Sequence, residues 1–293
     1  MHRSEGTAVG KVDQFESAFR AAAKSLFEYR PVRVASILVL TDLSEYEADL
    51  LGGEIQTFLR VVDDDETVWR VVHGAEFGTI PELLNLVEEA RPDLMVTYRH
   101  LHSASWQWPY TLGEYVDVLT QVTTTPVLVL PHPRAQRASD HALQHTSTVI
   151  ALTDHLVGDH RLVNWAVRFT EPDGRLYLAN IQSKATFEQF MGIISRVPTI
   201  ETDSARDHIM KQLLREPQDY IGSCKEVLQE AGVRIGIESV VTVGHRLSEY
   251  ARLIEEHEVD LLVFNTKDDD QMAMHGLAYP LAVELRQIPL LML

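Results

Sequence analysis

The chain has 293 residues, the length of two ordinary domains, and its 45% apolar and 24% charged composition is that of a globular protein rather than a disordered, collagenous or membrane chain. Its net charge of −17 repels phosphate backbones and anionic headgroups, which disfavours generic binding to nucleic acid or a membrane surface. The single cysteine, Cys224, excludes an intramolecular disulfide and a multi-thiolate zinc site, and points to a reducing cytoplasm.

The opening residues, MHRSEGTAVGKVDQ, lack the apolar core of a signal peptide, and no run approaches the roughly 20 apolar residues of a membrane span. The expectation is a cytoplasmic protein without a membrane span. VDQFESAFRAAAKSLFEY then places Phe15, Phe19, Ala22, Leu26 and Tyr29 at helical spacing, predicting an N-terminal helix within residues 1–30 that carries one apolar stripe. From there short β-branched runs alternate with longer helical patterns, the signature of βαβ units and a parallel sheet. ILVLTD ends a strand at Asp42, TVWRVVHG leads straight into helix PELLNLVEEA, and ARPDLMVTY opens a strand at Asp93. Gly113, a helix and Pro126 then precede the strand VLVL. The stretch PHPRAQRASDHALQH, from Pro131 to His145, reads as a linker.

After the linker the landmarks return in the same order. VIALTD ends at Asp154, HEVDLLVFN opens a strand at Asp260, and Gly276, a helix and Pro289 precede LLML. The interval from the glycine to the proline is 13 residues both in Gly113 to Pro126 and in Gly276 to Pro289. Such a coincidence argues for duplication. The halves differ between the first two landmarks: Asp42 to Asp93 spans 51 residues, whereas Asp154 to Asp260 spans 106 and holds a strand near RLYLANIQ, a long helical region from about Ser204 to Ala231, and the strand VRIGIESVVTVG. The fold class is therefore α/β, two tandem doubly wound parallel-sheet domains, the first (31–135) trimmed by a strand and its helix and the second (146–293) complete. Four strands are expected in the first and five in the second, with the N-terminal helix covering the sheet surface the trimming leaves bare. VLVL and LLML are continuous apolar runs led by proline, as expected for strands buried on both sides, and an intrachain pseudo-dimer through these last strands would satisfy both edges at once.

Strand, Asp, helix, V-x-G into a helix, D-L-[IV]-V, and then Gly, helix and Pro-Val-Leu together make a pattern that resembles the universal stress protein family, in its tandem form. The resemblance covers roughly residues 33–131 and 146–293 and implies a five-stranded Rossmann-like unit binding its ligand beyond the carboxyl ends of the strands, where the switch-point rule for open α/β sheets also places it. Nucleotide-binding members carry a loop G-x2-G-x9-G-[ST] after the fourth strand, whose backbone N–H groups hold phosphate. Here the loops read TYRHLHSASWQWPYTLGE and NTKDDDQMAMHGL, each keeping only its last glycine and following it with Glu114 or Leu277. The positions the resemblance assigns to a nucleotide, ATP or AMP, are Thr41, Asp42, Thr97, Arg99, His100 and Gly113 in the first half and Thr153, Asp154, Asn265, Thr266 and Gly276 in the second. Arg99 and His100 stand where the family's amides meet phosphate, whereas Asp268, Asp269 and Asp270 oppose a polyphosphate unless a divalent cation intervenes. Asp42 and Asp154 read equally as ligand residues and as helix caps.

No nucleophile elbow, Walker A loop or G-x-G-x-x-G occurs, and the histidine pairs 100/102 and 155/160 lack the spacing of a helical zinc site. The residues demand no cofactor and display no catalytic machinery. Trp106, Trp108 and Tyr110 read as packing against the following helix, with a plug over the crevice or a contact patch as alternatives. The leading expectation is a regulatory or sensing protein that acts by binding an unidentified protein partner, with degenerate nucleotide sites. The alternatives are a stress protein that binds ATP or AMP or weakly hydrolyses ATP, using Arg99, His100 and a metal held by Asp268 to Asp270, and a structural protein whose clefts are filled by its own side chains. A homodimer would use the WQWPY loop or the N-terminal helix.

Overall fold

The computed structural model describes residues 26–293 except 109, 136–137, 140, 154–155, 198, 200 and 267–277. Its elements, in chain order, are β1 (Ser36–Leu40), α1 (Glu45–Phe58), β2 (Val68–Val72), α2 (Ile80–Ala90), β3 (Leu94–Tyr98), α3 (Glu114–Val122) and β4 (Val127–Leu130). The second half continues with β5 (Thr148–Leu152), α4 (His160–Phe169), β6 (Arg175–Ser183), α5 (Lys184–Ile194), α6 (Thr202–Glu230), β7 (Gly236–Gly244), α7 (Arg246–Glu256), β8 (Leu261–Phe264), α8 (Ala278–Glu284) and β9 (Leu290–Met292).

The nine strands of the described residues lie in one sheet, in the order β2-β1-β3-β4-β9-β8-β5-β6-β7. The two expected sheets are thus continuous: four strands from the first half meet five from the second, and every pairing is parallel except β4 with β9, where Leu128 stands opposite Leu291. The apolar runs explain this join. Every residue of β4 and of β9 is buried, so each is a strand that must be covered on both faces and cannot end a sheet. The strands that do end the sheet, β2 and β7, carry mixed burial patterns.

In each half the winding reverses once. The chain moves outward from β1 to β2 and returns past β1 to β3; it moves from β5 through β6 to β7 and returns to β8. With right-handed crossovers the reversal puts α1 on one face and α2 and α3 on the other, and α2 and α3 do touch. It also opens a crevice beyond the carboxyl ends of β1 and β3, and a second beyond β5 and β8.

One device recurs in both halves. The Asp93 carboxylate accepts the N–H groups of Ala35 and Ser36 and the Ser36 hydroxyl, at 2.8, 3.0 and 3.2 Å. Asp260 accepts the Thr148 N–H at 2.8 Å and the Ser147 hydroxyl at 3.2 Å, with His145 Nδ1 at 3.0 Å. Each aspartate thereby fixes the register of the strand it opens against its neighbour. Ser147, His145 and Asp260 resemble a catalytic triad only in composition, because serine and aspartate meet the same ring nitrogen.

Residues 26–30, the end of the expected N-terminal helix, are not helical. They leave the first half and run along α4 and α6: Phe27 N–H donates to Ser223 Oγ (3.1 Å), Glu28 N–H to His160 Nδ1 (3.2 Å) and Arg30 N–H to Asn164 Oδ1 (3.0 Å). Asn164 Nδ2 returns a bond to the Glu28 carbonyl. An open backbone beside polar side chains of a second element gains more bonds there than by adding a helical turn. Residues 1–25, which carry the remainder of that expectation, lie outside the described residues.

Candidate functional site

The first-half crevice is built by the ends of β1 and β3 and by the loop that follows β3. Thr41 and Thr97, the last buried hydroxyls of these strands, turn into the sheet: Thr41 Oγ1 donates to the Val72 carbonyl and Thr97 Oγ1 to the Leu40 carbonyl, both at 3.0 Å. They sew strands together and leave no donor toward the crevice. Asp42 does face it. It is not a helix cap, since α1 is capped by Ser44, whose N–H and hydroxyl both meet the Glu47 carboxylate. Its carboxylate accepts the Tyr98 hydroxyl through one oxygen and the His102 N–H through the other (3.0 Å), while its own N–H donates to Tyr98 Oη at 3.0 Å. Burial first, and then the Asp42 carboxylate, hold the Tyr98 phenol in its protonated form far above the usual tyrosine range.

The loop after β3 closes over this pair. His100 and His102 both adopt positive φ, 61° and 54°, in the left-handed region that short polar residues tolerate better than bulky ones. His102 packs edge-on against Phe77, with ring centroids 4.8 Å apart. The buried His100 receives the Gly113 turn: its N–H donates to the Leu112 carbonyl, and a Cβ on Gly113, whose φ is 92°, would stand 2.8 Å from the His100 backbone. Gly113 is therefore required for close approach to His100. Burial and the neighbouring Arg99 charge lower the His100 pKa below the ordinary imidazole value. His132, after β4, sits edge-on to Tyr98 at 5.0 Å, and burial brings its pKa down to about 4 despite the Asp42 charge.

Arg99 goes elsewhere. It is 3% exposed, and its Nη2 donates to the carbonyls of Ala282 (2.6 Å) and Leu285 (2.7 Å) at the carboxyl end of α8. It caps a helix of the second half across the β4–β9 join, and burial followed by the Arg286 charge brings its pKa down to about 9. The Nε and Nη1 groups of Arg99 have no hydrogen-bond partner among the described residues.

At the second crevice a different set of described residues is engaged. Asn265 Nδ2 donates to Asp159 Oδ2 at 2.5 Å, while Asp159 Oδ1 accepts the Leu162 N–H as the N-cap of α4. Burial raises the Asp159 pKa against these two bonds. Thr266 is tied to the last residue, its N–H and Oγ1 both reaching the Leu293 carbonyl. The Thr153 carbonyl accepts Asn180 Nδ2 at 3.0 Å, and Gln182 backs that amide at 2.7 Å. Asp154, Gly276 and the Asp268 to Asp270 run lie outside the described residues. Among the described residues no group of three His, Cys, Asp or Glu side chains is arranged to hold a metal ion, and no helix is long and apolar enough to cross a membrane.

Of the positions assigned from sequence, the first crevice brings together Asp42, His100 and Gly113, the two threonines serve the sheet, and Arg99 serves the join. Tyr98 and His132 in the first crevice and Asp159, Asn180 and Gln182 in the second carry the geometry without having been singled out, and His102, weighed only as half of a zinc pair, joins them. A polar aromatic at the end of β3 was the one visible signal, and it becomes informative only once β3 is known to lie beside β1. Trp108 and Tyr110 are 65% and 74% exposed, so neither packs on α3 as expected nor plugs the crevice, and the side chain of Trp106 lies outside the described residues.

No family model and no curated protein matches the chain. Among solved structures it is similar to a functionally unknown protein of Pseudomonas aeruginosa PAO1, with 13% identity, coverage of 89% of this chain and 92% of that one, and a TM-score of 0.48. It is similar also to a universal stress protein of Archaeoglobus fulgidus, with 12% identity, coverage of 88% and 95%, and a TM-score of 0.48.

Proposed function

We propose that the chain is a tandem universal-stress-type protein of two domains, 31–135 and 146–293, that acts by binding a protein partner rather than by turning over a nucleotide, with its nucleotide sites disabled. The observation that carries this reading is the state of Asp42. The aspartate that the family resemblance places beside a nucleoside is already engaged by Tyr98 and His102. A ligand would have to break these bonds and leave a half-buried carboxylate and a buried phenol to find new partners, at a cost of about 1–3 kcal/mol for each group left unsatisfied. Arg99, one of the two residues placed to meet phosphate by sequence, is turned to α8 instead.

The same geometry favours filling of the first crevice by the protein's own side chains, which leaves the exposed Trp108 and Tyr110 as the surface a partner would meet. Calorimetry with magnesium ATP and with AMP tests the reading. Binding weaker than about 1 mM, equivalent to about −4 kcal/mol, is the expected result. Micromolar affinity, or nucleotide released on denaturing the freshly purified protein, would replace it with the nucleotide-binding alternative.

A further inference from the structure

The two strands that end the sheet are unlike. β2 has five residues with Arg70 at its centre, whereas β7 has nine, GIESVVTVG, with Glu238 as its one charge and no proline, lysine or arginine. Soluble proteins blunt their edges with short strands, lysine, proline or a bulge, because a row of unpaired backbone groups is a template for another chain. β7 has none of these devices. It is longer than the average strand of about 5–6 residues, and its register against β6 runs unbroken from Arg175 opposite Gly236 to Ser183 opposite Gly244.

The unpaired row can be named. Gly236 N–H donates to the Gly174 carbonyl at 2.8 Å, so Gly236 turns its backbone groups toward β6, and by the alternation of a strand so do Glu238, Val240, Thr242 and Gly244. The N–H and C=O groups of Ile237, Ser239, Val241 and Val243 point away from the sheet, and among the described residues no backbone group outside the strand meets them. Helix α6 packs on β7, yet Ser239 is exposed and Ile237, Val241 and Val243 are only half-buried. The row also matches itself. Antiparallel two-fold pairing about Val240 sets Ser239 opposite Val241 of the partner subunit and Ile237 opposite Val243 of the partner subunit, all of them outward residues, so that each pair exchanges two N–H to C=O bonds. Glu238 then faces Thr242 of the partner subunit, and no like charges stand opposite one another along the strand. The chain already joins half-sheets in this way, through the antiparallel pairing of β4 with β9.

We propose that β7 is a homodimerisation edge: two copies of the chain pair their β7 strands antiparallel about Val240, and the sheet continues from one subunit into the next. The surface is neither the WQWPY loop nor the N-terminal segment, and no crevice residue takes part, so the inference stands apart from the nucleotide reading. Each copy carries a net charge of −17, a long-range repulsion that salt screens, so the dimer tightens as ionic strength rises.

Sedimentation and residue-resolved hydrogen exchange on the full chain test it. The protein should sediment as a dimer at about 100 µM in about 0.3 M salt and dissociate on dilution or at low salt. From monomer to dimer the amides of Ile237, Ser239, Val241 and Val243 should slow by about tenfold or more, while those of Glu238, Val240 and Thr242, already bonded to β6, change by less than about threefold. Val241→Pro removes one outward donor and no bond to β6, so the variant should keep the urea midpoint of the wild type and stay monomeric at the same concentration. A wild type that is monomeric at about 100 µM overturns the proposal. So does a dimer whose four outward amides exchange as fast as in the monomer, which would place the interface elsewhere, and so does a folded Val241→Pro that dimerises as well as the wild type. Should Val241→Pro lose its fold, the exchange pattern of the wild type decides by itself.

Discussion

The Tyr98 hydroxyl and the Asp42 carboxylate close the first crevice by bonding to each other across the ends of two adjacent strands, with the Asp42 N–H completing the contact at 3.0 Å. Two groups that could each serve a ligand are spent on one another. The arrangement is self-consistent electrostatically: the carboxylate needs a donor, and the buried phenol cannot ionise to compete with it.

Tyr98→Phe removes the hydroxyl and leaves Asp42 with the His102 N–H as its remaining bond on that side. The expected loss is about 1–3 kcal/mol of unfolding free energy, measured by urea denaturation. A change within 0.3 kcal/mol would mean that solvent satisfies Asp42 as well as tyrosine does, and the crevice would have to be counted as open.

Arg99→Ala separates a ligand role from a structural one. The side chain holds two α8 carbonyls and fills buried space, so the variant should lose about 2 kcal/mol or more of stability and leave the heat of magnesium ATP addition unchanged. A stable variant with altered nucleotide binding would return Arg99 to the site.

The β4–β9 join sets the most protected amides. Those of Val127–Leu130 and Leu290–Met292 should exchange only through global unfolding, and Leu291→Ala, opposite Leu128, should cost about 2–5 kcal/mol. Fast exchange along either strand would show that the halves separate in solution.

His132 gives the protein a defined acid sensitivity. Its folded pKa, about 4, lies below the ordinary 6.5, so between these values the unfolded chain binds the proton that the folded chain refuses, and stability falls as pH drops from 6.5 to 4. The full effect is about 3 kcal/mol at pH 4 and below. Urea midpoints followed from pH 7 to 4 should fall less steeply for His132→Gln than for the wild type. Parallel curves would remove His132 from the account.

Much of the fold is legible in the residues. Continuous apolar runs such as VLVL and LLML call for burial on both sides, which β4 and β9 obtain by pairing with each other, and the unequal spacing of Asp42 to Asp93 and Asp154 to Asp260 marked where strands were absent. The site was legible only by position. A strand-end residue projects from the sheet in a direction that depends on pleat and register, and these are set by neighbours far away in sequence. Hence local pattern places Asp42 and Tyr98 at strand ends, and the pairing of β1 with β3 is what brings them together. The tertiary structure also decided that Arg99, next to a degenerate phosphate loop in sequence, reaches α8: the β4–β9 pairing brings two open carbonyls at that helix's end within 2.7 Å of a guanidinium. The same holds for the chain before β1, whose pattern promised a helix through Tyr29, whereas side chains of α4 and α6 offered residues 27–30 hydrogen bonds that a local helix cannot match. Local periodicity determines what an element can be; long-range hydrogen bonds and burial, which no local pattern contains, decide where it stops and what it touches.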